Sequence, residues 1–483
     1  MAYHLAIDIG ASSGRHILGH IEKGRMVLEE IYRFDNIQQY KNGHDCWNLQ
    51  ALWQHILAGL RLCKEQGKLP STMGIDTWAV DFVLVDKQGN PLGEAVAYRD
   101  SRTQGMKDRL QQVYGLDFSS HYQRTGIQYQ PFNTVYQLAA VAQQQPQQLE
   151  NAHRLLMIPE YFHYRLTGIM MNEYTNGTST ALVNAHTKTW DDQIIEQLGL
   201  PHGIFGKLEM PGTVVGHFTP EVQREVGFDC TVVLPATHDT ASAFLAVPAK
   251  DGNGVSLSSG TWSLLGVERN SPITTPESCA ANFTNEGGYN RGVRYLKNIM
   301  GLWMIQSVRR QWNGVAYVEG KEPCFHGNRQ WSYSQLEEEA KKYPHFASRV
   351  EVNHPRFLAP SDMVAEIQQA CRESNQPVPQ GVGQVMACIY HSLAESYAAA
   401  IDQLQSLTGD HYNAIYVVGG GSQSHYLNAL TAKATGLPVF AGPVEATALG
   451  NLMIQFVGAG EFDSIQAARA AIPKSFEVTE VQP

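Results

Sequence analysis

Apolar and polar residues alternate from about residue 3 to residue 34, and the alternation breaks at the small-residue run Gly10-Ala11-Ser12-Ser13-Gly14 and again at Lys23-Gly24. Period-two patterning bounded by such breaks predicts three strands joined by tight turns, a β-meander in place of a strand-helix unit. Leu52, Ile56, Leu60 and Cys63 then recur at helical spacing, and strands are predicted through Gly74-Ile75-Asp76 and from Val80 to Val85. Helical patterns with a few strands continue to about residue 235. The glutamine-rich patch Gln143 to Gln148 interrupts them and reads as an exposed helix end and loop.

A second beginning lies near residue 254, where Val255 to Gly266 repeats the strand, small-residue turn, strand plan of residues 5 to 19. Two halves that open alike predict a duplicated fold. The charged, glycine-containing stretch Ala249 to Gly254 suits a boundary, giving expected domains 1–248 and 249–483. Downstream, Val385, Ile389, Leu393, Tyr397 and Ile401 predict a long amphipathic helix, and Ile415-Tyr416-Val417-Val418 a buried strand. Helices alternating with strands make the class α/β.

Bulk composition removes whole function classes. A length of 483 residues calls for more than one core, while 43% hydrophobic and 17% charged residues exclude disorder as the main state. A formal charge of -10 argues against a dedicated binder of nucleic acid or of anionic membranes. The seven cysteines (Cys46, Cys63, Cys230, Cys279, Cys324, Cys371, Cys388) show no metal-binding spacing and read as reduced and structural. The opening Met-Ala-Tyr-His enters the first strand without a signal-peptide pattern, and no apolar run approaches the roughly 18 residues that span a bilayer, so a cytoplasmic location is expected.

The sharpest chemical feature is Leu5 to Arg15, a strand that delivers Asp8 to a turn of glycines and small hydroxyls. Exposed backbone N–H groups in such a turn can hold phosphate oxygens, and Asp8 could hold Mg2+ through water; a plain hairpin with a salt-bridged aspartate is the alternative. The spacing matches neither a dinucleotide-binding glycine motif nor a Walker A loop, which leaves the phosphate hairpin of the actin-like ATPase fold. Ser258-Ser259-Gly260-Thr261 supplies a second such hairpin, and Val417 to Gln423 a strand entering a glycine turn, where Gly420 would let an adenine ring lie against bare backbone. Thr237-His238-Asp239-Thr240 follows an apolar strand and places Asp239 where a carboxylate can take the proton of a sugar hydroxyl. A structural His-Asp pair is the plainer reading of that segment taken alone.

Together, Asp8 to Arg15, Thr237 to Thr240, Ser258 to Ser263 and Val418 to Gly421 resemble the FGGY carbohydrate kinases. Further segments narrow the resemblance to one branch: Gly74 to Phe82, Ala97 to Thr103, Thr125 to Gln128 with Pro131 to Thr134, Leu296 to Trp303, and Ala441 to Ala446. The resemblance implies two ribonuclease-H-like domains with an interdomain active-site cleft. It implies phosphorylation of L-rhamnulose at O1 with MgATP, in L-rhamnose breakdown, by a monomer or small homo-oligomer that uses neither nucleic acid nor membrane. Carried over by position, Ala11, Ser12, Ser13, Gly14, Arg15, Thr261, Gln306 and Gly420 meet ATP. Asp239 becomes the proton acceptor, and Ala79, His238, Asp239, Thr240 and Asn298 meet the sugar. Ala79 stands where some of these kinases have glycine, and residues 131 to 141 lack the lysine and tryptophan spacing of the glycerol, xylulose and gluconate kinases. Another ketose such as L-fuculose or L-xylulose, or an actin-like ATPase module without sugar chemistry, are the alternatives. Trp78, Phe82 and Trp303 are expected in the core, with an apolar wall for a 6-deoxy sugar as the second reading. Arg99 and Arg102 are assigned equally to phosphate contact and to solvated salt bridges.

Overall fold

A computed structural model describes residues 2–249, 252–316, 318–319, 326–327 and 329–483. Cys324, and Lys250 and Asp251 of the expected boundary, lie outside the described residues. The chain forms two compact units. The first combines Met1–Ala246, Glu268–Tyr295 and Ala446–Ser475, and the second Val247–Val267, Leu296–Glu445 and Phe476–Pro483. The division expected at 248/249 follows chain order, whereas these units are discontinuous in sequence.

The first unit is built on a six-stranded sheet in the order Val214–His217, Thr231–Val233, Pro70–Thr77, Tyr3–Ile9, Ser13–Glu22, Arg25–Asp35. The predicted meander is present, and Lys23 and Gly24 take φ of 50° and 74°, the twist a two-residue hairpin turn needs. Tyr3–Ile9 sits centrally, with Leu5, Ala6, Ile7 and Ile9 at 0% exposure, which is why apolar residues fall on both of its faces. It pairs antiparallel with Ser13–Glu22 and parallel with Pro70–Thr77, which in turn pairs parallel with Thr231–Val233. Three parallel strands therefore end at one edge of the sheet, where Asp8 and Asp76 lie. Helix Leu49–Glu65 turns Leu52, Ile56, Leu60 and Cys63 inward, and Asn48 caps it by accepting from Ala51 N at 3.0 Å.

Helix Ala446–Gly458 belongs to this unit too. Its Gln455 donates to Leu5 O at 3.0 Å, and a Cβ on Gly450 would collide with Ser242 O of helix Asp239–Leu245. One predicted strand is shorter than expected: it spans Phe82–Val85, and Val80 lies in a turn with φ of 68°. Apolar character alone could not separate a buried turn from a buried strand. The glutamine patch ends helix Thr134–Gln144 and opens Pro146–Asn151, with Gln143, Gln144, Gln145 and Gln147 exposed as expected.

The second unit repeats the plan. Gly254–Ser259 pairs antiparallel with the strand that begins at Trp262 and parallel with Ala414–Val418, which pairs parallel with Val439–Ala441. The long predicted helix spans Gly381–Thr408, burying Val385, Ile389, Leu393, Tyr397 and Ile401. Each unit thus has the ribonuclease-H-like arrangement of a hairpin whose first strand continues into parallel neighbours. Among the described residues no cysteine is bridged, and no helix is long and apolar enough to cross a membrane.

Candidate active site

At the strand ends of the first unit, Asp8 and Asp76 are register partners on adjacent parallel strands. The next strand along is extended by Thr77 N donating to Thr237 O at 3.0 Å, which sets the Thr237-His238-Asp239-Thr240 turn beside them. Asp8 is 3% exposed and accepts from Arg15 Nε at 2.9 Å and Nη2 at 2.7 Å, both on Oδ2. Asp8 and Arg15 thus form a salt bridge, which anchors the guanidinium beside the turn. Asp76 is fully buried. Its Oδ2 accepts from Asn451 Nδ2 at 2.6 Å, while Oδ1 has no hydrogen-bond partner. Burial raises its pKa well above the usual carboxylate range, and the nearby Asp8 and Asp239 charges add to that rise.

Asp239 opens helix Asp239–Leu245, and its Oδ1 accepts from Thr240 N at 2.6 Å and from Thr240 Oγ1 at 3.1 Å. His238 Nε2 lies 3.4 Å from the same oxygen, and the carboxylate side chain keeps 29% of its surface accessible. No hydrogen bond among the described residues reaches Oδ2. One oxygen is thus saturated and the other left open, which is the arrangement a proton acceptor needs. Burial, followed by the Asp8 charge, pushes the Asp239 pKa up to about 7. His238, in contrast, is held well below 6.5 by burial and by the Arg294 charge, so its imidazole is neutral.

The turn that carries these residues is clasped from beneath. Glu173 is fully buried and accepts from Thr237 Oγ1 at 2.6 Å and Thr237 N at 3.2 Å, and also from Thr175 and Asn176. The hairpin turn at Gly10 to Gly14 is braced as well: Gly10 N donates to Ser13 O at 2.9 Å, and Asn36 donates through Nδ2 to Gly10 O at 2.9 Å. A Cβ on Gly14 would collide with the Phe34 ring, so only glycine fits there. Ala11 is buried, and Ser12 and Ser13 are half-buried at the turn.

Thr261, Gln306 and Gly420 gather at the equivalent edge of the second unit. Gly260 N donates to Trp262 O at 2.9 Å, closing the hairpin as Gly10 does, and Gly260 O and Thr261 O accept from Leu302 N and Trp303 N at the start of helix Trp303–Asn313. Gln306 lies one turn into that helix with Oε1 buried and without a hydrogen-bond partner. Ser258 pairs with Val418, which brings the Gly419-Gly420-Gly421 turn alongside. A Cβ on Gly421 would collide with Ser259, whereas one on Gly420 would meet nothing within 4 Å. Open space over Gly420 suits a flat ring.

Of the remaining candidates, Ala79 is half-buried and precedes Val80, whose strained backbone is pinned by Val80 N donating to Ser179 Oγ at 3.2 Å and Thr134 Oγ1 donating to Val80 O at 2.7 Å. Asn298 is half-buried on strand Val293–Met300. The core reading holds for Trp78, Phe82 and Trp303, which are 5%, 8% and 5% exposed. Trp78 packs 4.0 Å from Trp47, and both indoles donate to Asp81. Of the two arginines, Arg99 is buried over the Tyr98 ring, and Arg102 donates to Gln137 at 2.6 Å. Sequence reasoning assigned no role to Asp76, Glu173, Glu286 or Arg294. Only Asp76 left a local signal, since Gly74-Ile75-Asp76 repeats the pattern Ala6-Ile7-Asp8.

Among the described residues no three His, Cys, Asp or Glu side chains are arranged to hold a metal ion directly. Clustered buried carboxylates with an unpartnered oxygen nevertheless fit a hydrated divalent cation, which retains most of its waters.

Two curated relatives match end to end. The rhamnulokinase of Halalkalibacterium halodurans is 48% identical over 99% of this chain and 98% of its own, and that of Bacillus subtilis 40% identical over 99% and 95%. Among solved structures, gluconate kinase from Lactobacillus acidophilus (TM-score 0.76, 14% identity, 100% of this chain and 94% of that one) shares the fold. So does Plasmodium falciparum glycerol kinase with ADP, at a TM-score of 0.74 and 12% identity over 100% and 94% of the two chains. Residues 3–246 match the N-terminal domain, and residues 255–459 the C-terminal domain, of one family: the chain belongs to the FGGY family of carbohydrate kinases.

Proposed function

We infer that the chain is a cytosolic, ATP-dependent kinase that phosphorylates L-rhamnulose at O1, giving L-rhamnulose 1-phosphate and ADP. Full-length likeness to rhamnulokinases supports the substrate. The observation that carries the chemistry is the divided carboxylate of Asp239, with Oδ1 saturated by Thr240 and Oδ2 open. As the sugar O1 bonds to the γ-phosphorus and the bond to ADP breaks, the O1 proton passes to Asp239 Oδ2. His238, Thr240, Ala79 and Asn298 hold the sugar. The hairpin from Ala11 to Arg15, with Thr261, Gln306 and Gly420, holds ATP. Mg2+, kept by Asp8 through water, offsets phosphate charge when bound.

Purified protein given MgATP and L-rhamnulose, L-fuculose or L-xylulose should release ADP only with a ketose, at the highest kcat/KM with L-rhamnulose. Release indifferent to sugar would overturn the reading in favour of an ATPase module. The nucleotide half has its own test. A Cβ at Gly420 meets no atom within 4 Å, so Gly420→Leu places its side chain in the space proposed for the adenine. The expected result is a KM for ATP raised by about tenfold or more, the equivalent of about 1.4 kcal/mol, with Tm and the sugar KM unchanged.

A further inference from the structure

His238 sits between Asp239 on one side and Arg294 with Glu286 on the other, all within the first unit. Arg294 is 1% exposed and comes from the strand Val293–Met300, where its Nε donates to Gly287 O at 2.9 Å. Its Nη2 lies 3.1 Å from His238 Nδ1 and 3.2 Å from Glu286 Oε2. A guanidinium has hydrogens and no acceptor, so at the shorter of these contacts the imidazole Nδ1 must offer its lone pair. In a neutral ring the single proton is then on Nε2, the nitrogen 3.4 Å from Asp239 Oδ1. Glu286 Oε2 stands 3.4 Å from Nδ1 and would favour the opposite tautomer. Arg294 lies closer to both and engages that carboxylate in its own ion pair.

We propose that Arg294, steadied by Glu286 and Gly287 O, is a positioning residue that fixes His238 as the Nε2–H tautomer, so that an N–H and not a lone pair faces Oδ1 of Asp239 across 3.4 Å and Oδ2 is left for the acceptor hydroxyl. The proposal deepens the assignment of Asp239 as base and rests on it. The positive end of an N–H dipole facing Oδ1 stabilises the carboxylate over the acid, which matters where burial opposes the charge. The other charged groups facing this pair are Asp8, Asp76, Glu173 and Glu268. None of them can donate a hydrogen bond when ionised, so none replaces the imidazole N–H.

The test uses the full chain and reads the pH dependence of kcat/KM for the ketose. Arg294→Met should lower kcat about tenfold or more and move the acid limb upward by about one pH unit, with the KM for ATP unchanged. Because Arg294→Met removes the ion-pair partner of the buried Glu286, the double variant Glu286→Gln with Arg294→Met repeats the measurement with that charge removed. Two substitutions at His238 probe the tautomer with Arg294 intact. His238→Gln can place an amide N–H near the Nε2 position and should keep the limb where it is, whereas His238→Asn reaches only the Nδ1 position and should move it as Arg294→Met does. A limb that stays fixed in Arg294→Met, in the double variant and in His238→Asn, with only Tm reduced, overturns the proposal. If Asp239→Asn retains wild-type turnover, the base assignment itself has failed.

Discussion

Asp239→Asn should lower kcat by on the order of 10^2 or more while leaving the protein as stable as the parent, or more so, above pH 7. The two halves of that expectation have one source. Burial and the neighbouring Asp8 charge push the Asp239 pKa up from 3.8 to about 7, because both oppose the ionised form. A base acts as the carboxylate, so kcat/KM should fall about tenfold per unit as the pH drops below about 7 and level off above it. Stability runs the other way. The folded state holds this proton more tightly than the unfolded chain, so the group contributes stability below pH 3.8 that is lost as the pH rises through about 7. With 29% of the side chain still accessible, solvent screening keeps this stability effect modest. The amide variant cannot ionise and escapes the loss. Measuring turnover and Tm of both proteins from pH 5 to 9 checks both halves; wild-type turnover in the variant removes Asp239 from the reaction.

The parts of this arrangement that the sequence displays are those made by neighbours in the chain. Gly10 to Gly14 is a turn because small residues interrupt an alternating pattern, and Asp8 and Asp239 stand out because each ends an apolar run. Contacts across long separations leave no such mark. Glu173 meets Thr237 across 64 residues, and Arg294 meets His238 across 56, so neither carboxylate nor guanidinium carries a local signature of its task. Helix Ala446–Gly458 is apolar over most of its surface and could have packed on any sheet; Asn451 donating to Asp76, and Gln455 to Leu5 O, fix it to the first unit. Val80 misled for a different reason. A β-branched residue is a strand former, and here Thr134 and Ser179 hold it in a turn that its own preference disfavours.

Glu173→Ala should cost about 4 kcal/mol of stability, the largest loss expected from a single change outside the hydrophobic core. Five donors converge on this carboxylate: Thr175 N and Oγ1 at 2.7 and 2.6 Å, Asn176 N at 3.1 Å, and Thr237 N and Oγ1 at 3.2 and 2.6 Å. Removing it orphans three backbone N–H groups at roughly 1–3 kcal/mol each, and water entering the vacated space recovers part of that sum. The hydroxyls can turn to other acceptors; the backbone groups cannot. Because Glu173 also caps the helix Tyr174–Thr178, the damage reaches both sides of the clasp. Glu173→Gln separates packing from hydrogen bonding. It keeps the volume and one acceptor oxygen but sets an NH2 against donors, so it should lie between the parent and the alanine variant in denaturant midpoint. Turnover should fall in Glu173→Gln beyond what lost folded protein explains, because Thr237 positions the turn that presents Asp239, while the KM for ATP should hold. If Glu173→Gln were as stable and as active as the parent, the clasp would owe its strength to shape alone, and the Thr237 turn would not depend on that carboxylate.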